Sequence, residues 1–370
     1  MRKAEYDFFD VTRGVAALWV YLSHLLLVCG LWYPFISRGD LAVDVFILLS
    51  GFVIGLMRID KPERYSRYLY RRFARIYPVY LIALFLGILT SSLYGPVLGE
   101  SDYADARAWF TDRHAEVFAN FWENFSAHLV MLHGTIPNSI LPMGEYAFSG
   151  PLWSISLEWQ FYVVAPLLVG ILTTSRKHGY LMLVIAIVVF GQAAIEIGKI
   201  WQTSSPSFLP LRLDYFLIGV LSAYAFKSSA QMNPYFKIVL VLTVLLGQSY
   251  LRGYSLALPI WAITWFLAST AQSSQRLRSA VNYLTPLKWF GDRSYAFYVL
   301  HMPILLVLAY CLTLDRFSLL GHWGAFAILF LTSFPLTVAA SALTYKFIEQ
   351  PIIEAARKPR DQSLPCRNAL

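Results

Sequence analysis

Residues 41–58 read Leu-Ala-Val-Asp44-Val-Phe-Ile-Leu-Leu-Ser50-Gly51-Phe-Val-Ile-Gly-Leu-Met-Arg58, and this stretch decides the class of fold. One acid interrupts an apolar run close to the roughly 20 residues that a helix needs to cross a bilayer. Seven lysines and arginines follow between Arg58 and Arg75. An apolar run that opens into a basic loop reads as a membrane span whose far end faces the cytoplasm.

The rest of the chain repeats this pattern. Spans are expected at 14–33, 41–58, 76–97, 153–174, 180–198, 207–226, 236–251, 255–273, 292–312 and 323–345. The fold class is therefore an all-α polytopic membrane protein with about ten transmembrane helices. Composition agrees: of 370 residues, 57% are hydrophobic and only 14% charged. A soluble domain needs about 25% charged residues, so a cytosolic globular protein and a disordered chain are both excluded. Three scattered cysteines (Cys29, Cys311, Cys366) support neither a disulfide framework nor a metal site.

With the N-terminus inside, 22 lysines and arginines fall on the cytoplasmic side and six on the other. That asymmetry orients the chain with both termini cytoplasmic. It also accounts for the net charge of +8 without nucleic acid. The first apolar run is longer than a signal-peptide core, so no cleavable leader is expected. Residues 1–350 form one integral-membrane domain, and 351–370 a basic cytoplasmic tail. Residues 98–152 form a long outer loop, in which Val117–Met131 is expected to lie along the membrane interface.

Ionisable residues inside a membrane are costly and are functional candidates by default. Arg13 and His24 lie 11 residues apart, three turns plus about 20°, so they share one helix face about 16 Å apart. Arg13 falls near the cytoplasmic surface and His24 near mid-membrane. Asp44 falls near the outer end of its span, as a helix cap or a partner for a histidine. Ser50-Gly51 reads first as close helix packing. Arg71, Arg72 and Arg75 crowd the inner end of the third span. They serve topology, and guanidinium groups also bind phosphate bidentately. In Trp153-Ser-Ile-Ser156-Leu-Glu158-Trp-Gln-Phe-Tyr162, an acid sits among aromatics at a depth that suggests a polar pocket. A structural ion pair of Glu158 with Arg212 is the competing reading. His301 reads first as structural, and Glu349-Gln350-Pro351 as a helix stop.

Together these segments resemble the acyltransferase-3 family of integral-membrane acyltransferases. The matching pieces are Arg13 with His24, Asp44-Val-Phe-Ile-Leu-Leu-Ser-Gly-Phe, Arg71-Arg72-Phe-Ala-Arg75-Ile-Tyr-Pro and Trp153-Ser-Ile-Ser-Leu-Glu158-Trp-Gln-Phe-Tyr. Phe290-Gly-Asp-Arg-Ser294-Tyr295, Tyr298-Val-Leu-His301 and Phe347-Ile-Glu349-Gln-Pro351 complete the series. The resemblance implies a stand-alone enzyme of a bacterial inner membrane. It would move an acyl group, usually acetyl, from cytoplasmic acyl-coenzyme A to a sugar hydroxyl of a surface polysaccharide or its lipid-linked precursor. Acetyl-coenzyme A is then the donor, without a metal, and a carbohydrate the acceptor.

Such chemistry needs a base for the hydroxyl proton, oxyanion donors and a grip on the anionic donor. His24 suits the base, with Glu158 and Asp44 in the catalytic set. Arg13, Ser50, Arg71, Arg72 and Arg75 suit the donor. Trp153, Ser156, Tyr162 and Arg212 suit the acceptor. Direct transfer is the simpler course, with an acyl-Ser50 intermediate as the other. The rival function is a transporter of a small anionic or sugar solute, because mid-membrane charges also mark transport paths.

Overall fold

The computed structural model describes residues 6–60, 63–98, 115–173, 201–229, 232, 233, 235, 237–239, 242, 256–313 and 317–357. The expected span 180–198, most of 236–251, the start of the outer loop (99–114) and the tail from 358 lie outside the described residues. Among those described, all regular structure is helical. Helix α1 runs Asp7–Val28, α2 Gly39–Asp60, α3 Tyr65–Thr90 and α4 Tyr94–Leu98. Then come α5 (Phe121–Leu129), α6 (Trp153–Thr173), α7 (Leu213–Ser228), α8 (Ala257–Ala271) and α9 (Gln275–Ala280). The chain closes with α10 (Thr285–Thr313), α11 (Phe317–Thr344) and α12 (Gln350–Arg357).

Among the described residues, six helical stretches are long and apolar enough to cross a membrane: Asp7–Val28, Gly39–Asp60, Tyr65–Leu98, Gly150–Gly170, Gln275–Leu312 and Gly321–Arg357. Each overlaps an expected span. The chain is thus a multi-pass, all-helical membrane protein. Helix α1 begins seven residues before the expected start of its span, because Asp7, Asp10 and Arg13 are already helical. Acids in a first turn complement the helix dipole. The expected spans 207–226 and 255–273 correspond to α7 and α8, which have 16 and 15 residues. Pro206 and Pro210 stay outside α7, in a loop and a single tight turn at Leu209–Leu211.

The expected helix stop at Glu349-Gln350-Pro351 is corrected by the structure. Tyr345–Glu349 form a π-helical turn, and the chain continues as α12 to Arg357. Pro351 lies just past the π-helical turn inside this continuous helix, where the widened turn accommodates a residue that cannot donate the usual helical hydrogen bond.

The centre of the molecule packs α1 against α10 and α2, and α2 against α7. Two close approaches set these contacts. A Cβ on Gly51 would lie 2.1 Å from the Phe216 carbonyl oxygen, and one on Gly219 2.2 Å from that of Leu48. Gly51, four residues before Gly55, thus lets α2 and α7 meet backbone to backbone, as expected of small residues in membranes. Likewise a Cβ on Gly291 would lie 2.0 Å from the Asp10 carbonyl oxygen, which locks α1 onto α10. Lys288 and Asp7 add an ion pair at the same end, 2.5 Å apart. Ahead of α6, α5 buries Asn124, Ala127 and His128 and exposes Trp122 and Leu129.

Candidate active site

Two cavities enter the helical core from opposite ends. The first, about 340 Å³, opens among the arginines. Its wall includes Arg13 of α1, Ser50 of α2, Arg71, Arg72 and Arg75 of α3, Glu158 and Tyr162 of α6, and Arg357 of α12. Arg71 and Arg75 share a face because they are one turn apart. Arg357 joins them because α12 packs on α3. Arg71 donates to Glu63 at 2.9 Å, and Arg13 approaches Asp10 at 3.3 Å. Arg72 is buried, with its guanidinium 5.7 Å from the centre of the Tyr162 ring. Its Nε has no hydrogen-bond partner among the described residues.

Among the described residues, Glu158 is the one carboxylate in this wall. Its Oε1 accepts from the Ser50 hydroxyl at 3.0 Å and from the Tyr162 hydroxyl. The competing reading of Glu158, an ion pair with Arg212, is therefore corrected. Arg212 donates from Nε to Asp44 Oδ1 at 2.9 Å instead. The same bond corrects the alternatives for Asp44, which partners neither a histidine nor a helix N-terminus. Helix α7 brings Arg212 to the Gly39 end of α2, whereas Glu158 meets α2 further along, at Ser50.

The second cavity, about 630 Å³, lies at the opposite end. Ser23, His24, Trp32, Tyr146, Gly150, Trp153 and Arg212 line it, with Ser204–Pro206 from the loop before α7. The roof is stitched by hydrogen bonds. Glu145 accepts from the backbone N–H groups of Ser204 and Ser205. Burial pushes its carboxyl above the ordinary range, against those hydrogen bonds. Gln160 accepts from Leu209 N and donates to Ser207 O, both at 2.9 Å. Ser156 belongs to this scaffold. It is fully buried, donates to Met131 O at 2.9 Å and accepts from Gly134 N at 3.0 Å.

Val43 and Tyr298 line both cavities, and Phe46 lies against Tyr298 with ring centres 5.7 Å apart. These three side chains form the septum between the two spaces. His24 stands on the side of the second cavity. Its Nδ1 lies 2.8 Å from Nε2 of His301, and the two rings stack with centres 5.0 Å apart. His301 is fully buried and holds the Tyr298 carbonyl oxygen through Nδ1 at 2.6 Å.

The candidates thus sort into two groups. Arg13, Ser50, Arg71, Arg72, Arg75, Glu158 and Tyr162 gather at the basic cavity, and His24, Trp153 and Arg212 at the other. Asp44 braces Arg212 from behind. Tyr162 is grouped with the arginines rather than with Trp153. Sequence reasoning passed over Arg357, Tyr298 and the contact of His301 with His24. The Tyr298-Val-Leu-His301 piece was the signal for the last two.

The model of the acyltransferase-3 family, an acyltransferase domain, matches residues 6–345. The peptidoglycan O-acetyltransferase OatA of Listeria monocytogenes is 23% identical over 93% of this chain and 55% of its own length. The O-acetyltransferase OatA of Staphylococcus aureus is 22% identical over 93% of this chain and 56% of its own. The acyltransferase MdmB of Streptomyces mycarofaciens is 25% identical over 73% of this chain and 69% of its own. The chain therefore spans just over half the length of the two OatA relatives. No solved structure matches it.

Proposed function

Because the chain belongs to the acyltransferase-3 family, we propose that it is a membrane O-acyltransferase drawing on cytoplasmic acetyl-coenzyme A and acylating a sugar hydroxyl on the far side. The observation that carries this reading is the abutment of the arginine cavity and the His24 cavity across the septum of Val43, Phe46 and Tyr298. An anionic donor suits the first space. A neutral, hydroxyl-rich acceptor suits the second, where Trp32, Trp153 and Tyr146 offer apolar faces for a sugar ring. In this reading the chain has ten spans in a bacterial inner membrane, and the 22-to-6 charge asymmetry supports a cytoplasmic position for the arginine end and both termini.

In this reading Arg71, Arg72 and Arg75 hold the donor phosphates, with Arg13 further along the path. The thioester reaches past the septum toward His24. His24 takes the acceptor's hydroxyl proton as the oxygen bonds to the thioester carbon. The carbon–sulfur bond then breaks, and the proton passes from His24 to the departing thiolate. Ser50, hydrogen-bonded to Glu158, holds the cytoplasmic side of the path. Direct transfer fits better than an acyl-Ser50, since Ser50 and His24 line different cavities.

The test is donor binding and slow acetyl-coenzyme A hydrolysis by the purified protein, beside His24→Ala and the double variant Arg71→Ala/Arg75→Ala. The expected result is saturable binding lost in the arginine variant and turnover lost in the histidine variant. A folded protein that binds no acyl-coenzyme A would overturn the reading, and solute flux into vesicles would then favour a transporter.

A further inference from the structure

We propose that His301 is the positioning residue of the site: it fixes the tautomer of His24 and so aims a bare imidazole nitrogen into the outer cavity. The proposal deepens the acyl-transfer reading and rests on it, although the hydrogen-bond chain stands by itself.

The argument starts at a backbone carbonyl, which only accepts hydrogen bonds. Tyr298 O lies 2.6 Å from His301 Nδ1, so that nitrogen carries a hydrogen. His301 is fully buried, and among the described residues no carboxylate pairs with either histidine. A buried imidazolium without an anion is costly, so His301 is neutral and its Nε2 carries a lone pair. His24 Nδ1 lies 2.8 Å from that lone pair and must donate to it. The remaining nitrogen of His24, Nε2, is then bare. His24 lines the cavity between Ser23 and Trp153, so Nε2 is the nitrogen available to a hydroxyl there. Each link follows from the one before, with no free choice of tautomer after the first.

The chain does the work that a carboxylate often does behind a catalytic histidine. When His24 Nε2 accepts the acceptor's proton, His24 becomes an imidazolium whose Nδ1–H still donates to His301. No second proton moves. A neutral acceptor suits a site within apolar helices, where a buried carboxylate would itself need a partner. The surroundings hold His301 still. Tyr21 and Phe297 pack around its ring, and Tyr21 is fixed by a 2.7 Å hydrogen bond to Ser333. The Gly14 and Gly291 approach keeps α1 and α10 at the separation that this pair needs.

Two measurements on the full chain in detergent test the proposal. In protein carrying ¹⁵N-histidine, with His24→Ala to assign the signals, His24 is expected as the Nδ1–H tautomer with a bare Nε2. His301→Phe should remove that preference. In acetyl-coenzyme A turnover, His301→Phe should lower kcat about ten- to a hundredfold, as loss of a supporting partner does, with KM for the donor unchanged. His301→Gln, whose amide oxygen can accept from His24, should recover much of the loss. An Nε2–H tautomer for His24 in the wild type overturns the proposal, as does a His301→Phe variant with full kcat. A glutamine variant as inactive as the phenylalanine one, though folded, also counts against it. A wild-type protein that shows the Nδ1–H tautomer and no turnover would instead tell against acyl transfer.

Discussion

The wall of the arginine cavity carries five arginines against Glu158, whose Oε1 is already held by Ser50 and Tyr162. In the wall of the His24 cavity Arg212 is tied to Asp44 at 2.9 Å. Glu63 and Asp10 stand beside Arg71 and Arg13, yet the first space keeps more positive than negative charge, whereas in the second Arg212 is paired with Asp44. A surplus of positive charge suits a ligand that brings the opposite sign. A paired site leaves hydrogen bonding and ring contact to select what enters. The two cavities are thus suited to different molecules, and they abut at Val43, Phe46 and Tyr298.

The hardest blow to this comparison comes from His24→Ala. It should lower acyl transfer by about 10²- to 10⁴-fold, the range of a positioned base. Donor binding should stay within about twofold, because His24 stands beyond the septum. Single-turnover kinetics beside equilibrium binding separates the two. Binding lost together with transfer would mean that the cavities are one site.

The next largest effect sharpens the contrast in charge. Arg212→Ala leaves Asp44 buried without its partner, at a cost of about 3 kcal/mol. Thermal unfolding in detergent reads this directly. Adding Asp44→Asn to the same chain should recover part of the loss, since the unpaired charge is then gone. An Arg212→Ala variant as stable as the wild type would show that the outer charges are not paired as described.

A similar magnitude belongs to the roof of the outer cavity. His133 lies outside the spans, donates through Nε2 to the Leu152 carbonyl oxygen at 3.1 Å and is fully buried. Burial pushes its pKa down from 6.5 to about 4. Between those values the unfolded chain binds more protons than the folded one, so stability falls as the pH drops through that window. The loss approaches about 3 kcal/mol below it. Proteolysis within 115–152 should therefore rise between pH 6.5 and pH 4 and level off below. His133→Gln, which cannot titrate, should flatten that rise. A wild type and variant with the same pH profile would remove His133 from the account.

Much of this arrangement was legible in the sequence. Apolar runs locate spans because a bilayer admits little else, and the Ser50-Gly51 step announced the contact that α2 makes with α7. The spacing of Arg71 and Arg75 placed both on one face. What stayed hidden was pairing across helices. His24 and His301 are 277 residues apart, and no periodicity links them. Arg212 could reach either Glu158 or Asp44 as judged by depth alone. The choice depends on how α7 rotates against α2, which the contacts of Gly51 and Gly219 decide. Pro351 misled because a proline that ends a helix and one carried just past a π-helical turn within it look alike in sequence.

The finest test lies on the donor side, at Arg72. Its guanidinium stands 5.7 Å from the centre of the Tyr162 ring, with Nε unpartnered and the side chain buried. A buried donor without an acceptor costs stability unless a ligand supplies one. Arg72→Ala should therefore weaken acetyl-coenzyme A binding about tenfold, as the loss of one charge-assisted hydrogen bond does. Arg72→Lys keeps the charge but loses the planar fork and its contact with the ring. If charge alone holds the donor, lysine restores binding fully and only the salt dependence matters. If geometry counts, lysine restores part of it, and turnover of the donor once bound stays as in the wild type, since His24 and its partner are untouched. Titration of donor binding at two salt concentrations distinguishes these outcomes. An Arg72→Ala variant that binds the donor as tightly as the wild type would leave the unpartnered nitrogen without a role in recognition, and the surplus of charge at this end would then belong to topology.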